Sequence, residues 1–488
     1  NKNNILDTLK LGQALKLAKK NSKENSPKEA QQIYNDILDR FPKNKKAIKE
    51  LNALDVYLSK KFSDPSQDEL QVLTELYNNK QMQQAFDQAM QLINVFPNSL
   101  KLYNIIGAIN VGLGNLDDAE VALRKALILD PCNCETHNNI GIILKDQGEP
   151  EEAIKAFNQA LFIKPDYATA YLNMGNTYKD NSKLDDAIDN YKKALALEPE
   201  YFQALNNMAN VFREQGKAEE AIDAYNQVLT ISPDFAEAHF NMGVTLGEHG
   251  SLEKAIEALV MALAINPDFQ IARAHKLHYQ AQTCDWGAIR SEKNSLSKIG
   301  TDTQAVPGFT LMSFEDDPNI HLKRSKLFSK VNYPQKVIPL PSRPIKAPSR
   351  LRIGYFSSDF ENHPVTYLIT KMLALHNREE FEIFAYSFGA SEGGPWRQKV
   401  VDAVDVFKEV KNMSDREISI LARRDKIDIA VNLNGYTQGH RTGIFAFRAA
   451  PIQILYLGVT ATMGADFIDY IIGDSVCIPK GMSNYFTE

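Results

Sequence analysis

The chain of 488 residues has only four cysteines (Cys132, Cys134, Cys284 and Cys477) and two tryptophans. So few thiols in so long a chain argue against a disulfide framework, and Cys132-Asn133-Cys134 lacks the two-residue spacing of zinc or redox pairs. Reduced thiols in a cytoplasmic protein are the expectation. No run of eighteen or more apolar residues occurs; residues 452–472 are broken by glycine, threonine and two aspartates, so no membrane span is expected. An excess of positive charge is missing too. The 55 lysines and arginines against 61 aspartates and glutamates leave no basic footprint for nucleic acid. No signal-peptide pattern opens the chain, which begins at Asn1 rather than Met, so the numbering is expected to start inside a longer product. No G-x-G-x-x-G follows an apolar run, Gly393-Gly394 being an isolated pair, which argues against a dinucleotide oxidoreductase. No metal-ligand cluster is visible, and no metal site is expected.

A period of 34 residues is present instead. Pro97, Pro131, Pro165, Pro199, Pro233 and Pro267 obey it, as do Ala119, Ala153, Ala187, Ala221 and Ala255. Gly107, Gly141, Gly175 and Gly243 follow it too, with Ala209 in the remaining place. This residue set identifies tetratricopeptide repeats, pairs of antiparallel helices whose small residues allow close approach and whose proline ends the second helix. Phe157, Tyr178, Tyr191, Phe212 and Tyr225 should fill the spaces between helices. Five clear repeats are followed from Leu100 to Phe269, and two less regular ones precede them, about seven in all. Residues 45–65 read as a connector inserted between the first two. Stacked pairs should build an α superhelix with a concave surface.

A second ladder shares the period: Asn139, Asn173, Asn207 and Asn241, each two residues before the Gly/Ala position. In the first helix of a pair these amides should form a row inside the groove, facing open solvent. An amide can donate to a peptide carbonyl and accept from a peptide N–H, so the row could hold an extended polypeptide. The same residue could equally serve local packing within each repeat.

Beyond residue 269 the period fails. Residues 271–283 read as a capping helix, and Trp286 as a packing anchor between domains. Pro334, Pro339, Pro341, Pro344 and Pro348 then form a stiff linker. The expected domains are 1–269, 270–349 and 350–488. In the last, apolar strands alternate with helices, which implies a parallel, Rossmann-like α/β sheet. Its first strand runs into the polar cluster Ser357-Ser358-Asp359, then His363 and Pro364, where Pro suits a first helical turn. That order places the cluster at the carboxyl edge of the sheet, where open α/β folds bind ligands.

Four segments, L-R-I-G-Y-F-S-S-D-F-E-N-H-P from Leu351, I-D-I-A-V-N-L-N-G-Y-T-Q-G-H-R from Ile427, A-A-P-I-Q-I-L-Y-L-G from Ala449 and F-I-D-Y-I-I-G-D from Phe467, resemble the protein O-linked N-acetylglucosamine transferase family, including its Spindly-like members. The resemblance implies the first Rossmann-like lobe of a two-lobed GT-B glycosyltransferase, and that the chain lacks the second lobe, so that alone it is expected to be inactive. It implies an inverting, metal-independent enzyme without cofactor, whose donor is a nucleotide sugar such as UDP-N-acetylglucosamine and whose acceptors are Ser and Thr of proteins in the repeat groove. His363 then matches the catalytic histidine facing the donor. Leu457 and Gly458 match the sugar-binding strand end, Gly458 leaving room for the sugar beside the backbone. Asp359, Asn434, Gly435 and Tyr436 become loop residues of the site, and the asparagine ladder becomes peptide-binding. One departure stands out: Leu457-Gly458-Val459-Thr460-Ala461-Thr462 replaces the family's L-G-Y-P-G-T, which puts the identity of the sugar in question. The competing expectation is a non-catalytic tetratricopeptide scaffold for protein–protein interaction.

Overall fold

A computed structural model describes residues 4–7, 9–22, 27–61, 64–334, 349–389, 393–437, 439–458, 461–479 and 481–488. The chain divides into two compact units, Asn1–Met174 and Gly175–Glu488.

In the first unit the helices Leu11–Asn21 and Pro27–Arg40 are followed directly by a third, Lys45–Lys61. The expected connector is therefore helical. Asn44 caps it, its side-chain oxygen accepting from the Lys46 and Ala47 N–H groups at 3.2 and 3.1 Å. Ala47, Leu51 and Leu54 recur at helical spacing and pack with Ala14, Ala30, Tyr34 and Ile37. This apolar stripe, rather than the repeat signature, is what fixes the segment. Helix pairs follow at the expected period, from Gln67–Asn78 and Met82–Val95 to Cys134–Gln147 and Pro150–Ile163.

The pairing rule is local. A methyl group at Gly141 would lie 2.6 Å from the Phe157 ring, and one at Gly107 would lie 2.7 Å from Leu123, so each glycine admits a large side chain sixteen positions on. In the second unit Gly175 does the same for Tyr191, and Gly243 for Leu259. Each second helix stops two residues before the periodic proline, as at Leu129 before Pro131 and Ile231 before Pro233. Among the described turns between paired helices, a left-handed residue recurs, glycine at Gly114, Gly148, Gly216 and Gly250 but Lys80 and Ser182 in two others, and Cys284 takes the same conformation after the helix Gln270–Gln282.

The second unit continues with the repeat helices to Leu252–Ile265, then Gln270–Gln282. Trp286, expected as an anchor, starts a six-residue helix and is 53% exposed. Its place is taken by Ile289, packed with Ala274, Leu277, Leu296 and Leu311. The helix Pro318–Asn332 brings Phe328 onto the next lobe. Most of the proline-rich linker, residues 335–348, lies outside the described residues.

The lobe is a six-stranded, all-parallel sheet: β1 (Leu351–Ser357), β2 (Phe381–Ser387), β3 (Val406–Glu409), β4 (Ile429–Asn432), β5 (Ile452–Tyr456) and β6 (Tyr470–Ile472). The spatial order is β3-β2-β1-β4-β5-β6. Helices Pro364–Leu375, Pro395–Asp402 and Asp415–Arg424 stand between consecutive strands. Both faces are covered. Phe356, Phe384 and Tyr386 pack on one side with Ile418 and Phe445, while Ile353, Tyr355 and Ile383 pack on the other with Ile369 and Leu373. The order reverses between β1 and β4, which pair in register Phe356 to Asn432. That reversal opens a crevice at the carboxyl ends of the two strands.

Candidate functional site

The crevice holds most of the residues expected there. Ser358 and Asp359 follow β1, and Asn434 follows β4 two residues past its end. Asn434, 1% exposed, accepts from the Ser358 N–H at 3.1 Å and donates to the Ser358 hydroxyl at 2.8 Å and to the Asp359 carboxylate at 2.9 Å. Ser358 Oγ donates to the other carboxylate oxygen at 2.6 Å, and the Asp359 N–H rests on Ser357 Oγ at 2.9 Å. The backbone oxygen of Asp359 accepts from the Thr366 hydroxyl. Asp359 thus ties the β1 and β4 loops together through its carboxylate and the following helix through its backbone carbonyl. Such a carboxylate is held by neutral donors and is poorly placed to leave as a base.

His363 is the cap of the helix Pro364–Leu375: its Nδ1 accepts from the Val365 N–H at 3.2 Å. That bond puts the proton of the neutral ring on Nε2. Asp359 Oδ2 lies 3.7 Å from the same Nδ1, and the imidazole keeps 41% of its side chain exposed. The residue therefore does structural work through Nδ1, while Nε2 has no protein partner among the described residues.

Gly435 adopts φ +61° and its N–H, like that of Asn434, donates to Asn432 Oδ1, at 3.1 and 3.0 Å. Asn432 is a contributor that the sequence reading passed over, and the repeated asparagine in N-L-N was the available signal; Ser358 was read only as part of the polar cluster. Tyr436 does not line the crevice. It is 8% exposed, meets Phe328 edge-on at 4.9 Å, and donates its hydroxyl to the Met463 carbonyl at 2.9 Å. It anchors the loop from below.

Leu457 and Gly458 end β5. Leu457 takes a left-handed φ of +67°, and Gly458 donates its N–H to the Leu433 carbonyl at 3.1 Å. A side chain at Gly458 would run into the Asn434 backbone, with Leu433 O 2.7 Å away. Glycine is thus demanded by the neighbouring strand, whatever binds above it. Beside them a groove of about 360 Å³ opens between Leu455–Leu457 and Ile471–Asp474. Gly389, after β2, closes on the Ser358 carbonyl in the same manner. Arg397, 7% exposed, donates to the Phe360 carbonyl at 3.3 Å, Ser387 Oγ at 3.1 Å and Glu409 at 2.8 Å, which fixes the β1 loop from the outer side.

The four ladder asparagines stand in successive repeats, Asn139 and Asn173 in the first unit and Asn207 and Asn241 in the second. They are half-buried rather than open. Asn173 donates to Asn138 at 2.9 Å, Asn207 to Asn176 at 2.8 Å and Asn241 to Asn206 at 3.4 Å, while Asn139 accepts from Asn138 at 3.5 Å. Three of these bonds join one repeat to the next, so the ladder also serves packing, for which the expected open side chains made no allowance. Among the described residues no group of three or more His, Cys, Asp or Glu could hold a metal ion, and no helix is long and apolar enough to cross a membrane.

Comparison with known proteins agrees with this architecture. Residues 319–488 match the model of glycosyl transferase family 41, and residues 141–182, 175–216 and 209–250 match TPR repeat. An Arabidopsis thaliana protein named probable UDP-N-acetylglucosamine–peptide N-acetylglucosaminyltransferase SEC is 34% identical over 228 residues, 43% of this chain and 23% of that protein. The Caenorhabditis elegans UDP-N-acetylglucosamine–peptide N-acetylglucosaminyltransferase is 41% identical over 140 residues, 28% of this chain and 12% of its own length. A Petunia hybrida protein named as a probable enzyme of the same kind, SPINDLY, is 33% identical over 147 residues, 29% of this chain and 16% of its own. The matched stretches thus span less than a quarter of the length of these relatives. Residues 319–488 of this chain are thus similar to glycosyl transferase family 41, and the helix pairs before them are similar to TPR repeats.

Proposed function

We propose that the chain is part of a cytoplasmic protein O-glycosyltransferase that moves N-acetylglucosamine, or another hexose, from a nucleotide sugar to Ser or Thr of proteins held along the repeats. The donor class is a uridine diphosphate sugar, by analogy with the named relatives. The observation that carries the reading is the crevice at the β1/β4 reversal, where a half-exposed imidazole lies beside a fixed Ser–Asp–Asn network. There His363 Nε2–H points a donor at a ligand, either a sugar hydroxyl or a phosphate oxygen on which charge develops as the nucleotide leaves. No metal or cofactor is assigned a part in this reading.

A scaffold without catalysis finds support in one fact, that His363 is a helix cap. The two readings part on His363→Asn, because asparagine caps helices well and carries no imidazole. The protein encoded by the complete gene is incubated with radiolabelled UDP-N-acetylglucosamine and acceptor protein. Turnover should fall about 100-fold or more in the variant, with an unchanged melting temperature. Equal turnover in variant and parent, or no transfer by the parent from any nucleotide sugar, sinks the enzymatic reading.

A further inference from the structure

The ladder period does not stop at Asn241. Thirty-four residues on from Asn207 stands Asn241, and thirty-four further stands His275, in the helix Gln270–Gln282. The three residues share one place in three alternate helices of the second unit, Phe202–Glu214, Ala236–Glu248 and Gln270–Gln282. Their bonding differs. Asn207 and Asn241 each give an N–H to an asparagine of the preceding repeat. His275 gives nothing: its Nδ1 is buried without a partner, and Nε2, also unpartnered among the described residues, is not buried. The ring is gripped edge-on by Phe240 at 5.6 Å and lies 6.0 Å from Tyr279. A buried N–H without a partner costs more than a buried lone pair, so the proton belongs on Nε2. The ring therefore keeps an unused donor at the ladder position, seated between Phe240 and Tyr279.

We propose that His275 is the next rung of the ladder and that its Nε2–H binds a main-chain carbonyl of an extended acceptor polypeptide. This rests on the reading of the repeats as the acceptor groove given above. A neutral imidazole offers one donor and one acceptor, as an amide does in simpler form, so it can follow an asparagine in a row that grips backbone. The occupant is a polypeptide in extended form, recognised by its carbonyl and not by its side chains.

The test uses the full chain and a fluorescein-labelled peptide of Ser, Thr, Ala and Gly, with binding read by anisotropy. His275→Phe keeps the ring contacts and deletes both nitrogens. Its Kd should rise about 3- to 10-fold, the worth of one hydrogen bond. Its melting temperature should hold or rise, because a buried unpartnered nitrogen has been removed. His275→Asn, which restores an N–H donor, should bind within about twofold of the parent. If His275→Phe binds like the parent while Asn241→Ala binds weakly, the groove reading stands and His275 is no rung. If neither variant changes affinity, the groove reading fails and the proposal falls with it. A fall in melting temperature that tracks the loss of affinity in His275→Phe shows a packing histidine and also overturns it.

Discussion

The repeats and the sheet lobe both depend on glycine, yet in different ways. In the repeats a glycine faces a side chain: Gly141 meets the ring of Phe157, and Gly175 meets that of Tyr191. In the lobe the glycines just past two strands face backbone: Gly458 meets the main chain of Asn434, and Gly389 meets that of Ser358. Side chains can swing and repeats can shift slightly on one another, whereas two strands at a sheet edge hold each other's backbone in place. The repeats should therefore tolerate an added methyl group that the lobe does not.

The largest expected effect tests that contrast. Gly458→Ala should cost on the order of 3 kcal/mol and spoil the β4–β5 edge with it. Gly141→Ala forces Phe157 aside at about 1–3 kcal/mol but recovers up to about 1 kcal/mol of helix propensity. Urea unfolding of both variants, followed by fluorescence and circular dichroism, measures the difference. Equal losses would mean that the sheet edge yields as readily as a helix pair, and the comparison would break.

The same contrast explains what could be read in the sequence. Periodicity exposed the repeats because one contact rule recurs every 34 residues, and a single rule is visible in a string. Strand and helix alternation exposed the parallel lobe, and the turn from S-S-D into His363-Pro364 located its edge. The partners within the crevice were not legible. Asn434 meets Ser358 and Asp359 across 76 and 75 positions of sequence, through a strand order that alternation alone does not specify. Tyr436 looked like a site residue because it follows Asn434, yet Phe328, more than a hundred positions earlier, takes its ring into the core. Lys45–Lys61 was misread because it has helical apolar spacing without the repeat's small residues and proline.

A smaller effect concerns protons in the repeats. Burial, then His278 and Arg213, push the His275 imidazole from its usual 6.5 down to about 4. Tyr279 on the same helix packs against it, and Glu248, at the end of the helix Ala236–Glu248, acts on Tyr279. The unfolded chain takes up this proton below about 6.5 and the folded one refuses it until about 4. The sign follows: this contribution to stability is full above about 6.5, declines as pH falls toward 4, and levels off below. Melting temperatures of parent and His275→Phe across that window should show a shallower slope in the variant. Parallel curves would mean that the imidazole is as free to charge when folded as when unfolded.

The smallest effect lies in the turns between paired helices. Glycine occupies the left-handed position at φ +81° in Gly148 and +76° in Gly216, but the intervening repeat has Ser182 at +57°. A residue with a Cβ pays about 1–2 kcal/mol to adopt that conformation. Ser182→Gly removes this strain, and the looser unfolded chain takes part of the gain back, leaving about 0.5–1 kcal/mol. The backbone bond from the Ser182 N–H to the Lys179 carbonyl, 2.9 Å long, survives the change. The melting temperature should rise by about 1–3 °C, with peptide affinity unchanged. Gly148→Ala is the mirror experiment, and it should lose about 1 kcal/mol at the equivalent turn. A rise in one and a fall in the other would show that the period governs backbone conformation as well as packing. If Ser182→Gly instead lowers stability, the serine side chain supports its turn in a way that the periodic glycines do not.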